Sequence, residues 1–311
     1  MPVADAELRD ALGSVLRRPV RALERSPHPY GSSHAIEDVT VTFERGAALR
    51  LVFKDVSAPH ARARAAKPAR LRDRDREIEA YVDVLSHAGV DVPACYGAVS
   101  RGRRRWLFLE AVDGVPLWQA GDDAAWEAAA RWLAGLHARP LPQGPAHLLR
   151  YDAAHLGVWL HRARARVPRG ALDDVAKIWE RAVGLVAAWP AGVVHGDFHP
   201  SNVLVQRTGD GPRIRPVDWE LAGIGPGLLD LAALTSGAWS ADDRARIAVA
   251  YQRARPPAAR GSCAELLGAL AHCRLVLAVQ WLGWSSAWTP PPEHAHDWLA
   301  EAQALARELG A

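Results

Sequence analysis

The chain has 311 residues, 49% of them hydrophobic, so it can build one large domain or two lobes around a sizeable core. A formal net charge of +3 is small for this length, which argues against a dedicated nucleic-acid-binding protein. Three cysteines without a CxxC pair indicate a reduced, cytoplasmic protein with neither a disulfide framework nor a zinc site, and the longest apolar run, near residues 275–282, is too short and interrupted to span a membrane.

The first 27 residues are predicted to form a helical extension outside the main fold. Leu8, Leu12 and Leu16 recur at helical spacing, and an Arg-rich polar stretch follows them. Pro27 and Pro29 then interrupt the pattern. We therefore expect the extension to be peripheral to a fold that begins near residue 28.

An antiparallel hairpin is predicted next. Residues 39–43 (VTVTF) and 49–54 (LRLVFK) alternate apolar and polar side chains on either side of a turn, as strands with one buried face do. A small-residue loop at 31–33 precedes them. The basic segment at 58–76 has no interleaved aromatic residues, so it is interpreted as a solvated connector rather than a nucleic-acid-binding patch.

A helix and two strands lead from this connector to the middle of the chain. Ile78, Tyr81 and Leu85 form the apolar stripe of the helix. Strands are predicted near residues 90–99 and at the strongly apolar residues 106–110, after which helical patterns predominate. The change from strand to helix near residue 115 predicts two lobes, 28–114 and 115–311.

Residues 191–220 place three polar side chains at the ends of short strands. The sequence HGDFHPSN (195–202) lies between two apolar runs, and a second strand ends at Asp218, beyond a turn at 208–212. This pattern predicts a hairpin that carries Asp197, Asn202 and Asp218 on one edge.

Phosphoryl transfer from a nucleotide uses side chains of these types at this spacing. One carboxylate orients and deprotonates the attacking hydroxyl, while an amide oxygen and a second carboxylate hold the Mg²⁺ that bridges the phosphates. The alternation of His195, Asp197 and His199 also fits a metal hydrolase, but no second His/Asp cluster supplies the remaining ligands. An inert acidic hairpin is the other alternative.

The motifs HGDFHPSN (195–202), VDWE (217–220) and LLDLA (228–232) resemble the aminoglycoside phosphotransferase and choline kinase superfamily, the small-molecule relatives of protein kinases. The resemblance implies that Asp197 is the catalytic base and that Asn202 and Asp218 bind Mg²⁺. It further implies that His195 and Asp230 support the catalytic loop. The His-Gly-Asp sequence favours the antibiotic-phosphotransferase branch over choline kinases, whose loop usually has Asn between His and Asp.

The same resemblance implies a nucleotide site in the smaller lobe. Lys54 ends a predicted strand, where a kinase places the lysine that contacts the α- and β-phosphates. Glu77 is its expected partner on the following helix, with Glu79 as the alternative. Ser32 and Ser33, in the small-residue loop at 31–33, would lie over the phosphates. The last strand of the lobe would lead into the hinge that binds adenine. The nucleotide-binding residues implied in this way are Lys54, Glu77, Glu110, Val112, Ser32 and Ser33.

By the same resemblance, C-terminal helices wall the acceptor pocket. Between Arg274 and Arg307 there is no lysine or arginine, whereas tryptophans stand beside acidic residues. Aromatic rings beside acids suit a sugar ring or an ammonium group. The substrate residues predicted here are Trp284, Glu293 and Asp297. The alternative is that the tryptophans belong to the core and the acids to the surface.

Together these features predict an α+β, two-lobe protein-kinase-like fold with an antiparallel-sheet lobe and a mainly helical lobe. The predicted function is an ATP- or GTP-dependent, Mg²⁺-dependent kinase that phosphorylates a hydroxyl group of an antibiotic-like small molecule, with no nucleic-acid or membrane partner. The alternatives are a choline or sugar kinase and a catalytically inactive nucleotide-binding regulatory protein. A protein kinase is disfavoured by the short segment after Asp218 and by the missing Gly-rich motif.

Overall fold

A five-stranded antiparallel sheet forms the N-terminal part of the protein, with the strand order β1-β2-β3-β5-β4. The structure is a computed structural model that describes residues 3–29, 34–61, 67–284 and 295–310. The strands are β1 (Val20–Pro27), β2 (Ala35–Phe43), β3 (Leu49–Asp55), β4 (Cys95–Arg101) and β5 (Arg104–Glu110). The predicted hairpin is present: β2 and β3 pair antiparallel, with Ala35 opposite Asp55 and Val41 opposite Leu49.

Residues 3–27 are part of this sheet or pack against it, contrary to the prediction of a peripheral extension. Helix α1 (Asp5–Leu16) buries Leu8 and Leu12 in the same core cluster as the side chains of β2 and β3. Strand β1 pairs antiparallel with β2 along its whole length. Because β1 is an edge strand, most of its polar side chains are exposed, although Arg25 is largely buried by ion pairs with Asp5 and Glu37. The polar sequence at 20–27 therefore reflects an edge position and not a place outside the fold.

Helix α2 lies between β3 and β4 and changes its geometry along its length. It begins with an α-helical turn at Arg76–Glu79, continues as a π-helix at Ala80–Leu85 and ends at Ser86–Ala88. Tyr81 and Leu85 pack in a core cluster with Leu107 of β5. π-Helical turns are uncommon and often occur at functional sites. In this helix the turn directly follows the residues that face the candidate active site.

The C-terminal part is mainly helical. Its helices are α3 (Leu117–Ala120), α4 (Asp123–His137), α5 (Ala153–Arg164), α6 (Asp173–Ala187), α7 (Leu228–Leu234), α8 (Ala241–Ala254), α9 (Cys263–Trp284) and α10 (Trp298–Glu308). Most of these helices contribute to one large core cluster, in which Leu133, Trp159 and Leu275 are fully buried. This core packs against the buried face of the predicted hairpin at residues 203–216.

Among the described residues, one helix, α9, is long and apolar enough to cross a membrane by length and composition alone. The prediction that its apolar run is too short was wrong about length, because the helix continues well before Leu275. However, 56% of its apolar stretch is buried inside the protein. The apolar character of α9 is that of a core helix packed among its neighbours.

Two three-stranded sheets frame the middle of the chain. Strands β6 (Val115–Pro116), β9 (Val203–Thr208) and β10 (Gly211–Pro216) have the order β10-β9-β6, and β7 (Leu149–Arg150), β8 (Ala191–Val194) and β11 (Gly223–Pro226) have the order β7-β11-β8. In the predicted hairpin, Pro216 pairs with Val203. The Val217 N–H also donates to the Asn202 carbonyl at 2.8 Å. The end of β10 and the start of β9 thus share one edge.

Candidate active site

One buried carboxylate holds the loop that follows β8. Asp230, in the first turn of α7, accepts hydrogen bonds from the backbone N–H groups of His195 (2.7 Å) and Gly196 (2.9 Å). It also lies 3.2 Å from His137 Nε2. Burial lowers the pKa of His195, so its ring is neutral, and Nε2 donates to the carbonyl of Val217 at 2.9 Å. His195 and Asp230 therefore contact the loop from its buried side.

Gly196 is required by the backbone and not by the chemistry. Its φ angle is 80°, in the left-handed region that favours glycine. A Cβ atom at this position would collide with the Tyr151 hydroxyl and with the Leu221 carbonyl. Tyr151 Oη donates to that carbonyl at 2.7 Å, so neither group is free to move aside without losing a bond. The middle residue of the His-Gly-Asp motif must therefore lack a side chain in this fold.

Asp197 and Asn202 lie on the open side of the loop. Asn202 Nδ2 donates to Asp197 Oδ2 at 2.9 Å and to the Asp197 carbonyl at 3.0 Å, so the amide oxygen faces away from this carboxylate. The Asp197 side chain is 29% exposed. Burial, together with the charges of Asp218 and Glu220, raises the pKa of Asp197 to about 7, against the opposing charge of Lys67. A carboxylate of this kind is suited to accept a proton near neutral pH.

A buried lysine connects α2 with Asp218. Lys54, whose side chain is 5% exposed, places Nζ 2.8 Å from Glu77 Oε1 and 2.6 Å from Asp218 Oδ1. Burial disfavours the ionised form of Asp218, but the charge and hydrogen bond of Lys54 outweigh it and lower the pKa of Asp218 to about 2. For Glu77 burial outweighs Lys54 and raises the pKa to about 7. The ammonium group thus favours Asp218 as its ionised partner.

The structure distinguishes the two candidate partners of Lys54. The carboxylate of Glu79 accepts hydrogen bonds from three consecutive backbone N–H groups, those of Ala146 (2.7 Å), His147 (2.9 Å) and Leu148 (2.9 Å). Glu79 therefore ties α2 to the segment before β7. Glu77 is the acid that reaches Lys54.

Asp218 has an unusual backbone conformation. Its φ angle is 65°, in the left-handed region, where a non-glycine residue costs about 1–2 kcal/mol. Asp tolerates this region better than most residues. Strain of this kind is concentrated at functional sites. Here it accompanies the turn of the chain from β10 that brings the carboxylate of Asp218 to Lys54.

Two basic residues of the predicted connector reach the same region. Lys67 forms an ion pair with Glu220. Arg76 is buried and donates to the carbonyls of Leu71, His147 and Glu220, each at 2.9 Å. The prediction of a solvated connector is wrong for these two side chains. Their partners lie at least 70 positions away in most cases, so spacing along the sequence gave no signal for them.

The end of β5, where adenine binding is predicted, is held by an arginine that the sequence did not reveal. The Glu110 N–H donates to the Ala94 carbonyl at 2.8 Å, and its carboxylate accepts the Ala94 N–H at 3.0 Å. The same carboxylate pairs with Arg215 of β10, whose side chain is 3% exposed. The Val112 carbonyl accepts the N–H of Gly114 at 3.1 Å. Arg215 therefore connects the predicted hinge with the catalytic hairpin.

Helix α9 contributes a tryptophan to the surroundings of the catalytic loop, but it is not Trp284. The ring of Trp281 lies 5.2 Å from that of His199 and stacks on Trp298 at 5.5 Å. Trp284 lies 6.3 Å from Trp281 and stacks at 5.8 Å on Trp159, which is fully buried in the large core cluster. This position supports the alternative in which Trp284 belongs to the core. Trp281 belongs to the same tryptophan-rich run as Trp284, and nothing in the sequence distinguishes the two.

Of the two predicted acidic substrate residues, the structure describes only Asp297. Asp297 is the N-cap of α10 and accepts the Ala300 N–H at 2.9 Å, so its carboxylate serves the helix terminus. Glu293, Ser32 and Ser33 lie outside the described residues. The acid that the structure adds to this region is Glu301, which pairs with Arg274 at 2.6 Å and with His296.

Comparison with known proteins identifies the family. The model of the phosphotransferase enzyme family matches residues 36–266, which is most of the chain. The chain therefore belongs to the phosphotransferase enzyme family. Both the resemblance and the enzyme class predicted from the sequence are confirmed. No curated protein matches the chain in sequence.

Solved structures share the fold at low sequence identity. The GDP complex of aminoglycoside 2'-phosphotransferase-IIIa superposes with a TM-score of 0.62 at 13% identity, covering 98% of each chain. A choline kinase from Cryptosporidium parvum superposes with a TM-score of 0.59 at 16% identity, covering 92% of this chain and 88% of the other. Spectinomycin phosphotransferase, in complex with ADP and spectinomycin, gives 0.56 at 13% identity, with 100% and 96% coverage. The predicted kinase-like α+β fold is confirmed.

Proposed function

We propose that the protein is a small-molecule kinase that transfers the γ-phosphoryl group of ATP or GTP, with Mg²⁺, to a hydroxyl group of an antibiotic-like acceptor. The observation that carries this proposal is the convergence of five polar side chains from four separate segments. They come from β3, from the first turn of α2, from the loop after β8 and from the second residue after the end of β10. These residues are Lys54, Glu77, Asp197, Asn202 and Asp218.

Lys54 and Glu77 act on the nucleotide. A buried ammonium group is costly unless it is paired, and two carboxylates keep this one charged and fixed in position. Lys54 would bind the α- and β-phosphates, with Glu77 holding it in place. The backbone from Glu110 to Val112 would bind the base at the end of β5. Arg215 supports this assignment, because its ion pair with the Glu110 carboxylate fixes the end of β5 against β10.

The donor set fits Mg²⁺. Carboxylate and amide oxygens are the ligands that this ion prefers, and it usually keeps several waters, so Asp218 and Asn202 suffice as protein ligands. Lys54 keeps Asp218 ionised by lowering its pKa to about 2, against the effect of burial. When bound, Mg²⁺ supplies charge neutralisation and alignment of the phosphates.

Asp197 would act as the base. The acceptor oxygen attacks the γ-phosphorus, its proton passes to the Asp197 carboxylate, and the bond from the γ-phosphorus to the leaving nucleoside diphosphate breaks. The hydrogen bond from Asn202 Nδ2 orients this carboxylate. A pKa of about 7 matches the task, since burial and the neighbouring acids make Asp197 a better proton acceptor than an exposed carboxylate.

The proposed acceptor rests on the surroundings of the loop. Trp281 is only partly buried, lies beside His199 and stacks on Trp298, and an aromatic ring in this position suits a sugar ring or another rigid ring system. Phosphotransferases for aminoglycosides and spectinomycin are among the proteins of the same fold, which supports an antibiotic-like acceptor. The runner-up is a choline or sugar kinase, because aromatic rings also bind ammonium groups and a choline kinase shares the fold.

The intact polar set argues against an inactive nucleotide-binding regulator. A regulator that binds a nucleotide without transferring phosphate needs neither a base nor an acid that binds Mg²⁺, and this chain has candidates for both in Asp197 and Asp218. Three free thiols, Cys95, Cys263 and Cys273, support a cytoplasmic location.

The test is nucleotide consumption with Mg²⁺ across aminoglycosides, spectinomycin, macrolides, choline and simple sugars, with ATP and GTP in separate series. Asp197→Asn is run in parallel, and Asp210→Asn, at the exposed tip of the same hairpin, is the matched control. We expect acceptor-dependent turnover that falls about 1,000-fold in Asp197→Asn and is unchanged in Asp210→Asn. Equal turnover by Asp197→Asn and the wild type on the true acceptor would contradict the proposal.

A further inference from the structure

A second ammonium group lies beside the catalytic acids, and the mechanism above does not use it. Lys67 forms an ion pair with Glu220, and only 12% of its side chain is exposed. Its backbone is held as well, because Arg72 Nε donates to the Lys67 carbonyl at 2.8 Å. A 3₁₀ turn, Ala69–Leu71, follows directly. Lys67 is therefore a fixed part of this region, not a surface side chain in solvent.

The charge of Lys67 reaches beyond Glu220. It lowers the pKa of Asp197, where burial is the larger influence and acts in the opposite direction. It also lowers the pKa of Asp218, after the larger influences of burial and Lys54. His34 lies 3.7 Å from Glu220 but adds no positive charge, because burial and the two lysines lower its pKa to about 4. The ammonium of Lys67 thus acts on the proposed base and on the proposed metal-binding acid.

The choice of lysine at this position is itself informative. The chain has three lysines among 38 basic residues, and two of them, Lys54 and Lys67, stand at this site. The third, Lys177, pairs with Asp174 on the surface of α6. If the side chain at this position only had to pair with Glu220, an arginine would serve as well, because its guanidinium group pairs with carboxylates in a fixed fork. An ammonium is instead a compact point charge that can move between partners.

We propose that Lys67 is a second phosphate-binding lysine, which contacts the γ-phosphoryl group and stabilises its charge during transfer. This role rests on the proposed function. Lys54 is held by Glu77 for the α- and β-phosphates. The γ-phosphoryl group must pass beside Asp197, on which the charge of Lys67 acts from its contact with Glu220. Charge in the transition state is spread over the equatorial oxygens of that group, so a cation placed there accelerates transfer.

The transfer is balanced without a covalent change at Lys67. The bond between the γ-phosphorus and the oxygen that bridges to the β-phosphate breaks, and its electron pair leaves with the nucleoside diphosphate. The acceptor oxygen forms the new bond to phosphorus, and the hydroxyl proton passes to Asp197. Lys67 keeps all its protons and exchanges its contact with Glu220 for contact with phosphate oxygens.

The test compares nucleotides that differ at the γ position, so it needs no identified acceptor. The wild type, Lys67→Met, Lys67→Arg and the matched surface control Lys177→Met are titrated with AMP-PNP and with ADP, both with Mg²⁺, by calorimetry. We expect Lys67→Met to bind AMP-PNP about tenfold more weakly and ADP less than twofold more weakly. Lys67→Arg should retain part of the AMP-PNP affinity, and Lys177→Met should bind both nucleotides as the wild type does.

The other outcomes would overturn the proposal. An equal loss for both nucleotides would mean that Lys67 only holds the connector in place, and an unchanged or higher AMP-PNP affinity would mean that it only neutralises Glu220. If Lys67→Met melts well below the wild type, Lys67→Gln, which can still donate to Glu220, is measured in its place. A wild-type protein that binds neither nucleotide would instead refute the proposed function itself, and the role of Lys67 would fall with it.

Discussion

Replacing Asp230 tests whether the catalytic loop is held in place by the hydrogen bonds that its backbone N–H groups donate to this buried carboxylate. Asp230 is 1% exposed, and its two oxygens receive the N–H groups of His195 and Gly196. Asparagine has nearly the same size, but only one of its terminal atoms accepts a hydrogen bond, and the other is an NH₂ group that would face a donor. Alanine removes both acceptors and leaves the space unfilled.

The expected cost follows from the two backbone groups that lose their partner. A buried N–H group without an acceptor costs about 1–3 kcal/mol, so Asp230→Ala should lower the free energy of unfolding by about 4 kcal/mol. Asp230→Asn keeps one hydrogen bond and should lower it by about 2 kcal/mol. We expect turnover to fall roughly 100-fold in both variants, because a displaced loop moves Asp197 away from the reacting hydroxyl.

The assay is urea unfolding followed by tryptophan fluorescence, with turnover measured on the same preparations. Asp242→Asn, an exposed acid in the first turn of α8, is the control for the loss of one charge and should stay within about 0.5 kcal/mol of the wild type. If Asp230→Asn also unfolds within about 0.5 kcal/mol of the wild type, the hydrogen bonds to the loop do not stabilise it and the reasoning is wrong.

Three further predictions follow from the same region. In metal-free protein, Asp197 binds a proton more tightly in the folded state than in the unfolded state, because its pKa is raised to about 7. Between pH 5 and pH 8 the free energy of unfolding of the wild type should therefore fall by about 2 kcal/mol relative to that of Asp197→Asn, after allowance for solvent screening, as measured by urea unfolding at each pH. Glu77→Gln should reduce turnover at least tenfold with little loss of stability, whereas Glu79→Gln should destabilise the protein by about 2 kcal/mol with a smaller effect on turnover; the reverse pattern would contradict the assignment of the two acids. Arg215→Met should weaken nucleotide binding about tenfold by calorimetry, because Glu110 loses the partner that fixes it, and equal affinity would refute the link.

The catalytic hairpin was predictable because its determinants are local. Strand, loop and strand follow one another in residues 191–218, so the spacing of Asp197, Asn202 and Asp218 predicts their common edge directly. The pairing of Lys54 with the start of α2 depended on the resemblance. The choice between Glu77 and Glu79 needed the fold, since both lie on the same helix and only packing decides which one faces β3.

Other residues of the site were not predictable, because their partners are distant in the sequence. Nothing in the local sequence distinguishes Arg215 from the other arginines. Its partner, Glu110, is 105 positions away, and only the placement of β10 brings the two together. Lys67 belongs to a segment whose composition is typical of a solvated connector. Strand β1 was missed for a different reason, because a charged edge strand has the composition of a loop. The periodicity of apolar residues shows only which side chains are buried. It reveals neither a strand at the edge of a sheet, such as β1, nor an ion pair between distant segments, such as those of Arg215 and Lys67.

The left-handed backbone of Asp218 limits how this enzyme could lose its activity over evolutionary time. At a φ angle of 65°, glycine and asparagine are the replacements that fit with least strain, whereas β-branched residues are strongly disfavoured. A descendant that abandons catalysis but keeps its fold should therefore carry Asn or Gly at this position more often than Ala or Val. Asn or Gly at position 218 of a diverged homologue would show that the fold was retained after catalysis was lost. Ala or Val there would show that the fold itself was no longer maintained.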